Sequence, residues 1–342
     1  MTSLDGATVA ITGGTGSFGS TMVSHLLDRG VGTVHILSRD EAKQDEMRRR
    51  FSDPRLKFFV GDVRDKDSVA GALVDANFVF HAAALKQVPS CEFFPEQAVK
   101  TNIVGSHNVI EAASHAGVLS VVCLSTDKAV YPVNAMGMTK ALMEKTALAF
   151  ARSHPKSRMT VSVTRYGNVM YSRGSVLPLF VQQLQAGQPL TVTEPRMTRF
   201  LMSLQQSVDL VEHAFFHAEP GDLFVRKAPA ATVGVMAESV ASLMGKSEPD
   251  IRVIGTRHGE KLHETLLSRE EMLKATDQRE YFRVPLDARS LQYELYYEEG
   301  DHEVAMTDDY TSENTARLGV DETEELLRTL PEIQRLLQLA PL

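Results

Sequence analysis

Asp127 and Lys128 are adjacent side chains of the types that proton transfer requires. They follow the apolar run SVVCLST, which reads as a buried strand of a parallel sheet. Because ligands of such sheets bind beyond the carboxyl ends of the strands, we expect this pair, with Ser125 and Thr126, to face a substrate. An acid beside an amine at that edge can move protons in both directions. A charged surface turn is the alternative interpretation.

A second pattern that predicts chemistry is the glycine-rich segment TGGTGSFG at residues 12–19, between an apolar strand and a helical pattern. Glycines let a backbone approach a pyrophosphate, and the free amides and dipole at the start of the helix stabilise its charge. The segment therefore predicts a dinucleotide site, with contacts from Gly13, Thr15, Gly16, Ser17, Phe18 and Gly19.

The choice of dinucleotide depends on the end of the second strand, HILSRDE. Ser38 and Arg39 come first there, and a guanidinium suits the ribose 2′-phosphate of NADP, which we predict rather than NAD. Asp40 is the alternative, since a carboxylate one position later could accept the 2′-hydroxyl of NAD. The basic run 48–50 is expected mostly on a solvated helix face. Later strand ends add the cofactor contacts Asp62, Val63, Ala82, Ala83, Ala84, Asn168 and Val169.

The elements that must position these residues alternate along the chain of 342 residues. Apolar runs such as ATVAIT, LKFFVGD and FVFHAAA read as strands, and helical patterns separate most of them. This alternation predicts an α/β fold with a doubly wound parallel Rossmann sheet and a smaller, interleaved α+β domain. We expect a cofactor domain at residues 1–168 and 202–228, and a substrate domain at residues 169–201 and 229–342.

Composition argues against several classes of protein. A formal net charge of -8 argues against nucleic-acid binding, because no basic excess is present to release counterions. Two cysteines, Cys91 and Cys123, fit a reduced, cytoplasmic protein. The lack of a long apolar run argues against export and membrane spanning. We expect no metal site, since ligand spacing is missing around His81, His107, His258 and His263.

Eight segments together resemble one family, the bacterial UDP-N-acetylglucosamine 4,6-dehydratases of the extended short-chain dehydrogenase/reductase superfamily. The resemblance is strongest to the inverting 4,6-dehydratase/5-epimerases of capsule and O-antigen synthesis. It covers nearly the whole chain and rests on TGGTGSFG, LSRDEAKQDEMRRRF, GDVRD, FHAAALKQVPSCEFFPEQAVKTNIVG, STDKAVYPVNAMGMTK, TRYGNVMYSRGSVLPLF, MTRFLMSL and GTRHGEK. It implies bound NADP, a UDP-N-acetylglucosamine substrate, a homo-oligomer of hexamer size, and Asn102 and Lys140 among the cofactor contacts.

One position departs from the superfamily, in which a tyrosine and a lysine spaced YxxxK deprotonate the sugar hydroxyl. The matching residues here are Met136 and Lys140. A thioether is a weak acceptor that cannot shuttle a proton, so Met136 cannot replace the tyrosine. Lys140 can still hold the nicotinamide ribose and supply positive charge. Methionine at this position resembles the capsule-type enzymes, and Tyr131 lies too far from the expected position to be a good substitute.

The resemblance implies an internal redox cycle in which hydride leaves carbon 4 of the hexose and returns to carbon 6. Lys128, with a pKa lowered by burial and by the nicotinamide cation, would remove the carbon 5 proton. A protonated Asp127 would then assist departure of the carbon 6 hydroxyl, and reprotonation from the opposite face would invert carbon 5. Thr126 could relay the carbon 4 hydroxyl proton, with Lys128, water or Lys86 as its acceptor.

Substrate contacts are expected around the same region. Lys86 resembles a substrate-binding residue, and Asn168 could hydrogen-bond sugar or cofactor. A planar guanidinium suits a diphosphate, so Arg173, Arg199 and Arg257 are candidate contacts for the diphosphate of the substrate. Glu260 could hold a ribose or orient an arginine. The tyrosine-rich segment 286–301 predicts a lid or a subunit contact.

Two other functions are compatible with these patterns. A UDP-hexose 4-epimerase shares hydride removal from carbon 4 but needs no Asp–Lys pair, and it normally relies on the tyrosine that Met136 replaces. A catalytically silent NADP-binding regulator would explain the missing tyrosine. The presence of Asp127, Lys128 and Lys140 favours an enzyme.

Overall fold

A nine-stranded sheet forms the centre of the computed structural model, which describes residues 3–172, 174–287 and 307–339. Its strands run in the order β13-β14-β9-β6-β5-β4-β1-β2-β3. Their bounds are β1 (Thr8–Thr12), β2 (Thr33–Ser38), β3 (Leu56–Val60), β4 (Phe78–His81), β5 (Ser120–Leu124), β6 (Thr160–Arg165), β9 (Leu223–Arg226), β13 (Thr276–Gln278) and β14 (Tyr281–Val284).

Seven of these strands, from β3 through β9, pair in parallel. Every residue of β5 is buried, as a sheet covered on both faces requires. The strand order reverses between β1 and β4, which creates the crevice where such sheets bind ligands. The prediction of a doubly wound parallel sheet is therefore confirmed.

Helices cover the two faces of the sheet, and each side has its own apolar cluster. One cluster includes residues of α3, α6 and α7, and the other includes residues of α1, α2 and α9. A π-helical segment, Val99–Val104, joins α5 to α6. The bounds of the helices are α1 (Ser17–Asp28), α2 (Glu41–Phe51), α3 (Lys66–Ala72), α4 (Val88–Phe93), α5 (Pro95–Ala98), α6 (Gly105–His115), α7 (Ala135–Ser153) and α9 (Leu204–His217).

A third apolar cluster belongs to a smaller set of elements from the second half of the chain. Its helices are α8 (Val176–Gln185), α10 (Val233–Leu243), α12 (Val320–Arg328) and α13 (Pro331–Leu339). Three two-stranded pairs accompany them: β7 (Leu190–Val192) with β11 (Ile251–Val253), β8 (Thr198–Phe200) with β10 (Ala230–Thr232), and β12 (Thr265–Leu267) with β15 (Tyr310–Thr311). A short helix, α11 (Arg269–Lys274), precedes β13.

Strands β13 and β14 lie within the range expected for the substrate domain, yet they extend the large sheet: β14 pairs antiparallel with β9, and β13 pairs antiparallel with β14. No helix of the described residues is long and apolar enough to cross a membrane. Within the same residues, no group of three histidine, cysteine or acidic side chains is arranged to hold a metal ion.

Candidate active site

The glycine-rich loop lies at the crevice and is packed too closely for larger residues. A Cβ atom at Gly13 would lie 2.8 Å from Ala83 Cα, and one at Gly19 would lie 2.3 Å from Gly14 O. Gly13 also has a φ of +73°, which favours glycine. Because the N-cap of α1 is Gly16 and no side chain caps the helix, its first amides point to the crevice without a side-chain acceptor.

A cavity of about 790 Å³ extends from this loop along the carboxyl ends of the strands. It brings together most of the residues that the sequence predicted. Its lining includes Gly13, Thr15, Gly16, Ser17, Phe18, Gly19, Ser38, Arg39, Asp62, Val63, Ala82, Ala83, Ala84, Lys86, Thr126, Asp127, Lys128, Met136, Lys140, Asn168 and Val169.

Two cations, Arg39 and Lys43, line the end of the cavity next to β2, and each pairs with a carboxylate. Arg39 is half exposed and contacts Asp62 at 3.4 Å. Asp40 caps α2 by accepting a hydrogen bond from the Lys43 amide at 3.0 Å, and it also pairs with the Lys43 ammonium. These hydrogen bonds from Lys43 lower the pKa of Asp40. Lys43 lines the cavity and was not identified from the sequence, although its place three residues after a capping aspartate was a visible signal.

The basic run 48–50 points elsewhere. Arg48 and Arg49 pair with Asp45, and the guanidinium groups of Arg48 and Arg50 lie over Phe58 and Phe51. The solvated helix face that the sequence predicted is what the structure shows.

Asn102 does not line the cavity, in contrast to the other expected cofactor contacts. It is fully buried, and its amide exchanges hydrogen bonds with the backbone of Leu85 at 2.8 and 3.0 Å. It also donates to Thr139 Oγ1 at 3.0 Å. Asn102 therefore fixes the loop after β4 to α7, one layer behind the cavity wall.

His81 forms a second buried connection behind the cavity. Ser106 Oγ donates to Asn102 O, so it accepts from His81 Nε2, and His81 Nδ1 accepts from Thr12 Oγ1 at 2.7 Å. Burial lowers the pKa of His81 to about 3, which keeps the ring neutral. The ring is a fixed spacer between the glycine loop and α6.

Lys128 lies between two carboxylates at the end of β5. Its Nζ is 3.1 Å from Asp127 Oδ1 and 3.5 Å from Glu264 Oε1. Thr126 Oγ1 also donates to Asp127 Oδ1, at 2.7 Å. Both carboxyl groups are almost fully buried, and each keeps one oxygen, Asp127 Oδ2 and Glu264 Oε2, without a hydrogen-bond partner. Glu264 was not identified from the sequence, because nothing local connects it to Lys128.

These carboxylates determine the charge of Lys128. Burial lowers the pKa of this amine, but the negative charges of Asp127 and Glu264 outweigh burial and raise the pKa above its ordinary value. The carboxylates therefore oppose the lowering by burial that was expected, and the contribution of the nicotinamide cation stays a prediction.

Met136 and Lys140 lie one turn apart on α7 and line the same cavity. The Asn134 side chain caps this helix by accepting from Gly137 N at 2.8 Å. A Cβ atom at Gly137 would lie 2.2 Å from Lys128 O, so glycine is required for α7 to approach the Asp127–Lys128 turn. The Lys140 ammonium donates to the carbonyl of Leu124, and burial lowers its pKa to about 8.

Tyr131 does not take the place of the missing tyrosine. It lies outside the cavity lining and has a left-handed backbone with a φ of 47°. Its hydroxyl donates to Asp309 Oδ1 at 3.0 Å. Burial and then Asp309 raise its pKa, so the phenol is a poor proton acceptor.

A second cavity, of about 490 Å³, adjoins the first at Asn168 and Val169 and is lined in part by Arg199, Arg257 and Glu260. The Arg199 guanidinium donates to the carbonyls of Thr198 at 2.8 Å and Lys261 at 3.1 Å. These hydrogen bonds to backbone carbonyls occupy N–H groups of the guanidinium that would otherwise bind a diphosphate in a bidentate way.

Arg257 is exposed, and its amide donates to Glu260 at 3.1 Å. Arg173 lies outside the described residues, as does most of the segment 286–301.

Comparison with known proteins identifies the family. A family model described as polysaccharide biosynthesis protein matches residues 9–286, and its C-terminal companion matches residues 287–334. The chain belongs to the polysaccharide biosynthesis protein family. The resemblance noted from sequence is confirmed at this level.

Relatives of this polysaccharide biosynthesis protein have different names. A protein of Rickettsia rickettsii (strain Sheila Smith), named UDP-glucose 4-epimerase, is 54% identical over 331 residues, which are 96% of this chain and 97% of the relative. The structure of Pen from Bacillus thuringiensis is 33% identical with a TM-score of 0.86, and the match covers 96% of this chain and all of Pen.

The fold is shared more widely. The dTDP-glucose 4,6-dehydratase DesIV from Streptomyces venezuelae, solved with NAD bound, is 23% identical with a TM-score of 0.67 over 75% of this chain and 86% of DesIV. Epimerases and dehydratases thus occur among similar proteins, and the site residues must discriminate between them.

Proposed function

We propose that this chain is an NADP-dependent UDP-N-acetylglucosamine 4,6-dehydratase that also inverts carbon 5. Its product would be a UDP-2-acetamido-2,6-dideoxy-4-keto-L-hexose for capsule or O-antigen synthesis. The observation that supports this most directly is the acid–amine pair of buried Asp127 and partly exposed Lys128, which line the same cavity as the glycine loop. Elimination of water across carbons 5 and 6 needs a base and an acid at that place, whereas inversion at carbon 4 alone needs neither.

The residues at the loop fit a dinucleotide, because Gly13 and Gly19 leave no room for a side chain and the amides of α1 are uncapped. Arg39 and Lys43 favour NADP, since both lie at the cavity end where the ribose phosphate would lie, although each also pairs with a carboxylate, Asp62 and Asp40. Bound NADP supplies a reversible hydride acceptor.

Asp127 and Lys128 together hold the proton that the elimination needs. In the free protein this proton resides on Lys128, whose pKa is raised by the adjacent carboxylates. Transfer along the 3.1 Å hydrogen bond to Asp127 gives a neutral amine and a protonated acid. The neutral Lys128 then removes the carbon 5 proton, and Asp127 protonates the departing carbon 6 hydroxyl, which leaves as water.

A UDP-hexose 4-epimerase is the second candidate, and the name of the Rickettsia relatives favours it. That reaction also begins with loss of hydrogen from carbon 4. It would leave the Asp127–Lys128 pair without a chemical role, and it would have to proceed without the tyrosine that Met136 replaces.

The deciding experiment incubates the protein with UDP-N-acetylglucosamine in heavy water, with UDP-glucose as the comparison substrate. Mass spectrometry and proton NMR should show loss of water, a 6-deoxy-4-keto sugar, and solvent deuterium at carbon 5. An unchanged mass with carbon 4 inverted would refute the dehydratase and establish the epimerase. Lys128→Ala should abolish deuterium uptake at carbon 5 while NADP stays bound.

The same proposal carries the remaining expectations from the sequence. We assign residues 1–168 and 202–228 to cofactor binding and residues 169–201 and 229–342 to the substrate, in a homo-oligomer. The pocket beside Asn168 that contains Arg257 and Glu260 would receive the nucleotide part of the substrate.

A further inference from the structure

Two lysines line the proposed active-site cavity, and their surroundings are opposite. Lys128 touches two buried carboxylates, which hold it in the charged form. Lys140 donates to a backbone carbonyl, that of Leu124, and no carboxylate of the described residues lies within ion-pair distance of its Nζ. A backbone carbonyl stabilises an ammonium less than a carboxylate does.

The carboxylate best placed to pair with Lys140 is Glu144, four residues later on the same helix. Glu144 already accepts three hydrogen bonds from other residues. Arg165 donates Nε to one of its oxygens at 2.7 Å and Nη2 to the other at 2.6 Å, and Ser125 Oγ adds a third hydrogen bond. The negative charge of Glu144 is thus compensated by a guanidinium and not by Lys140.

The other ionisable groups that face Lys140 are uncharged. His81, from β4, is neutral because burial lowers its pKa to about 3. Cys123, from β5, keeps its thiol proton because burial raises its pKa to about 12. Burial lowers the pKa of Lys140 to about 8, and the charge of Glu144, which shares Arg165 with Glu271, offsets that lowering only in part. At a pH equal to this pKa, about half of the molecules carry Lys140 as a neutral amine with a free lone pair.

We propose that the amine of Lys140 accepts the proton of the sugar's carbon 4 hydroxyl, the task that a tyrosine would perform if Met136 were one. The inference rests on the proposed function, since it assumes a substrate oxidised at carbon 4. The O–H bond breaks as an N–H bond forms on Nζ, while a dinucleotide bound at the glycine loop would supply the hydride acceptor for carbon 4. Leu124 O accepts a hydrogen bond from the resulting ammonium, and solvent takes up the proton before the next cycle.

Such a division of roles follows from environment alone. Two titratable groups in one site whose pKa values are pushed apart are suited to opposite tasks. The carboxylates around Lys128 keep a proton available to the Asp127–Lys128 pair, whereas Lys140 can release its proton near neutral pH. Lys140 is thus a catalytic residue in its own right and not solely a contact for the nicotinamide ribose.

The test separates the carbon 4 step from the carbon 5 step. Lys140→Met keeps the length of the side chain and removes the amine. Lys140→Arg keeps a cation that cannot accept a proton. Lys145→Met, on the exposed face of α7, is the matched control. Each variant receives UDP-N-acetylglucosamine in one assay. In a second assay, in heavy water, it receives the 4-keto-6-deoxy product. Exchange of the carbon 5 proton of this product needs no base at carbon 4.

Both Lys140 variants should lose conversion of UDP-N-acetylglucosamine by a factor of at least 100 and keep carbon 5 exchange within a few-fold of the control. Retained conversion, or equal loss in both assays with NADP still bound, would overturn the proposal. If the unmodified protein turns out to be a 4-epimerase, the proposed function fails but the same variants are assayed for inversion at carbon 4, where Lys140 would still be required.

A second measurement follows the titration of the two lysines directly and does not depend on the enzymatic activity of any variant. With 13Cε-labelled lysine in the free protein, the signal that is absent from Lys140→Met should titrate near pH 8, and the signal absent from Lys128→Ala should titrate above the ordinary lysine range. A Lys140 signal that titrates above pH 10 would refute the proposal even if both Lys140 variants lost their cofactor.

Discussion

The two cavity lysines differ in charge because of their neighbours and not because of their own chemistry. A unit change in pKa corresponds to about 1.4 kcal/mol of differential interaction, so one nearby carboxylate is enough to change the role of an amine. Lys128 has two such neighbours, Asp127 and Glu264, while Lys140 has none that is unpaired. Replacing single neighbours should therefore shift the pH range of single steps.

Glu264→Gln removes one of the charges that raise the pKa of Lys128. The groups facing Lys128 are Asp127 and Glu264, which raise its pKa, and Arg199 and Lys261, which act in the opposite direction. With one carboxylate gone, the neutral amine should be available at lower pH. We expect the rising limb of the pH profile for carbon 5 exchange to move down by about one unit.

Glu264→Asp retains the charge and is the matched control, for which the limb should move less. The measurement is deuterium uptake at carbon 5 of the 4-keto product between pH 6 and 10. An unchanged profile in Glu264→Gln would mean that Glu264 serves packing alone.

Cofactor choice is a second property that single residues determine. Arg39→Ala and Lys43→Ala should each weaken NADP binding about tenfold or more, since each removes a cation from the cavity end at Ser38. NAD binding should change little. Isothermal titration with both dinucleotides measures this, with Arg49→Ala as the control because Arg49 is exposed and pairs with Asp45. Equal affinity of the unmodified protein for NAD and NADP would contradict the 2′-phosphate argument.

At the scale of elements, helix α7 is tied to the sheet and to α11 by one arginine. Arg165, at the end of β6, binds both oxygens of Glu144 on α7 and both oxygens of Glu271 on α11, and it also donates to Leu266 O at 3.1 Å. All five of its N–H groups are therefore used. This arrangement holds the helix that carries Met136 and Lys140 at a fixed height above β5 and β6.

Arg165→Leu should consequently destabilise the fold by about 3–5 kcal/mol, because it leaves the buried Glu144 and the partly buried Glu271 without their cation. Arg196→Leu, which breaks the exposed pair with Glu194, should leave the stability almost unchanged because water screens that pair. Urea unfolding followed by circular dichroism compares the two. Similar midpoints for both variants would show that the buried network contributes little.

Local signals predicted most of the elements around the site. The apolar runs before residues 12, 38, 81 and 124 became β1, β2, β4 and β5, and the residues directly after them line the cavity. Side chains whose partners come from distant parts of the chain could not be predicted in this way. Glu264 reaches Lys128 only through the folded lobe, and β13 and β14 join the large sheet by pairing that no periodicity indicates.

At the scale of the whole molecule, the first cavity is lined by residues between Gly13 and Leu204, and later residues help to line the adjoining one. The strand order places the glycine loop and the Asp127–Lys128 turn on the same edge of the sheet, and the smaller lobe contributes Glu264 and the adjoining pocket. The position of the crevice was predictable, because it follows from the topology of a doubly wound sheet. The residues from the second half of the chain that face the crevice were not predictable, since irregular segments carry no periodic signal.

Gly137 has a consequence for surveys of uncharacterised sequences. Its backbone is so close to the Lys128 carbonyl that the position tolerates no side chain, even though its φ is not left-handed. The pattern D-K followed by M-G-x-x-K at this spacing is therefore typical of a helix that packs directly against the Asp–Lys turn. A search for it, with tyrosine allowed or excluded in place of methionine, would separate sequences that carry the tyrosine from those for which the proposed lysine acceptor can be tested.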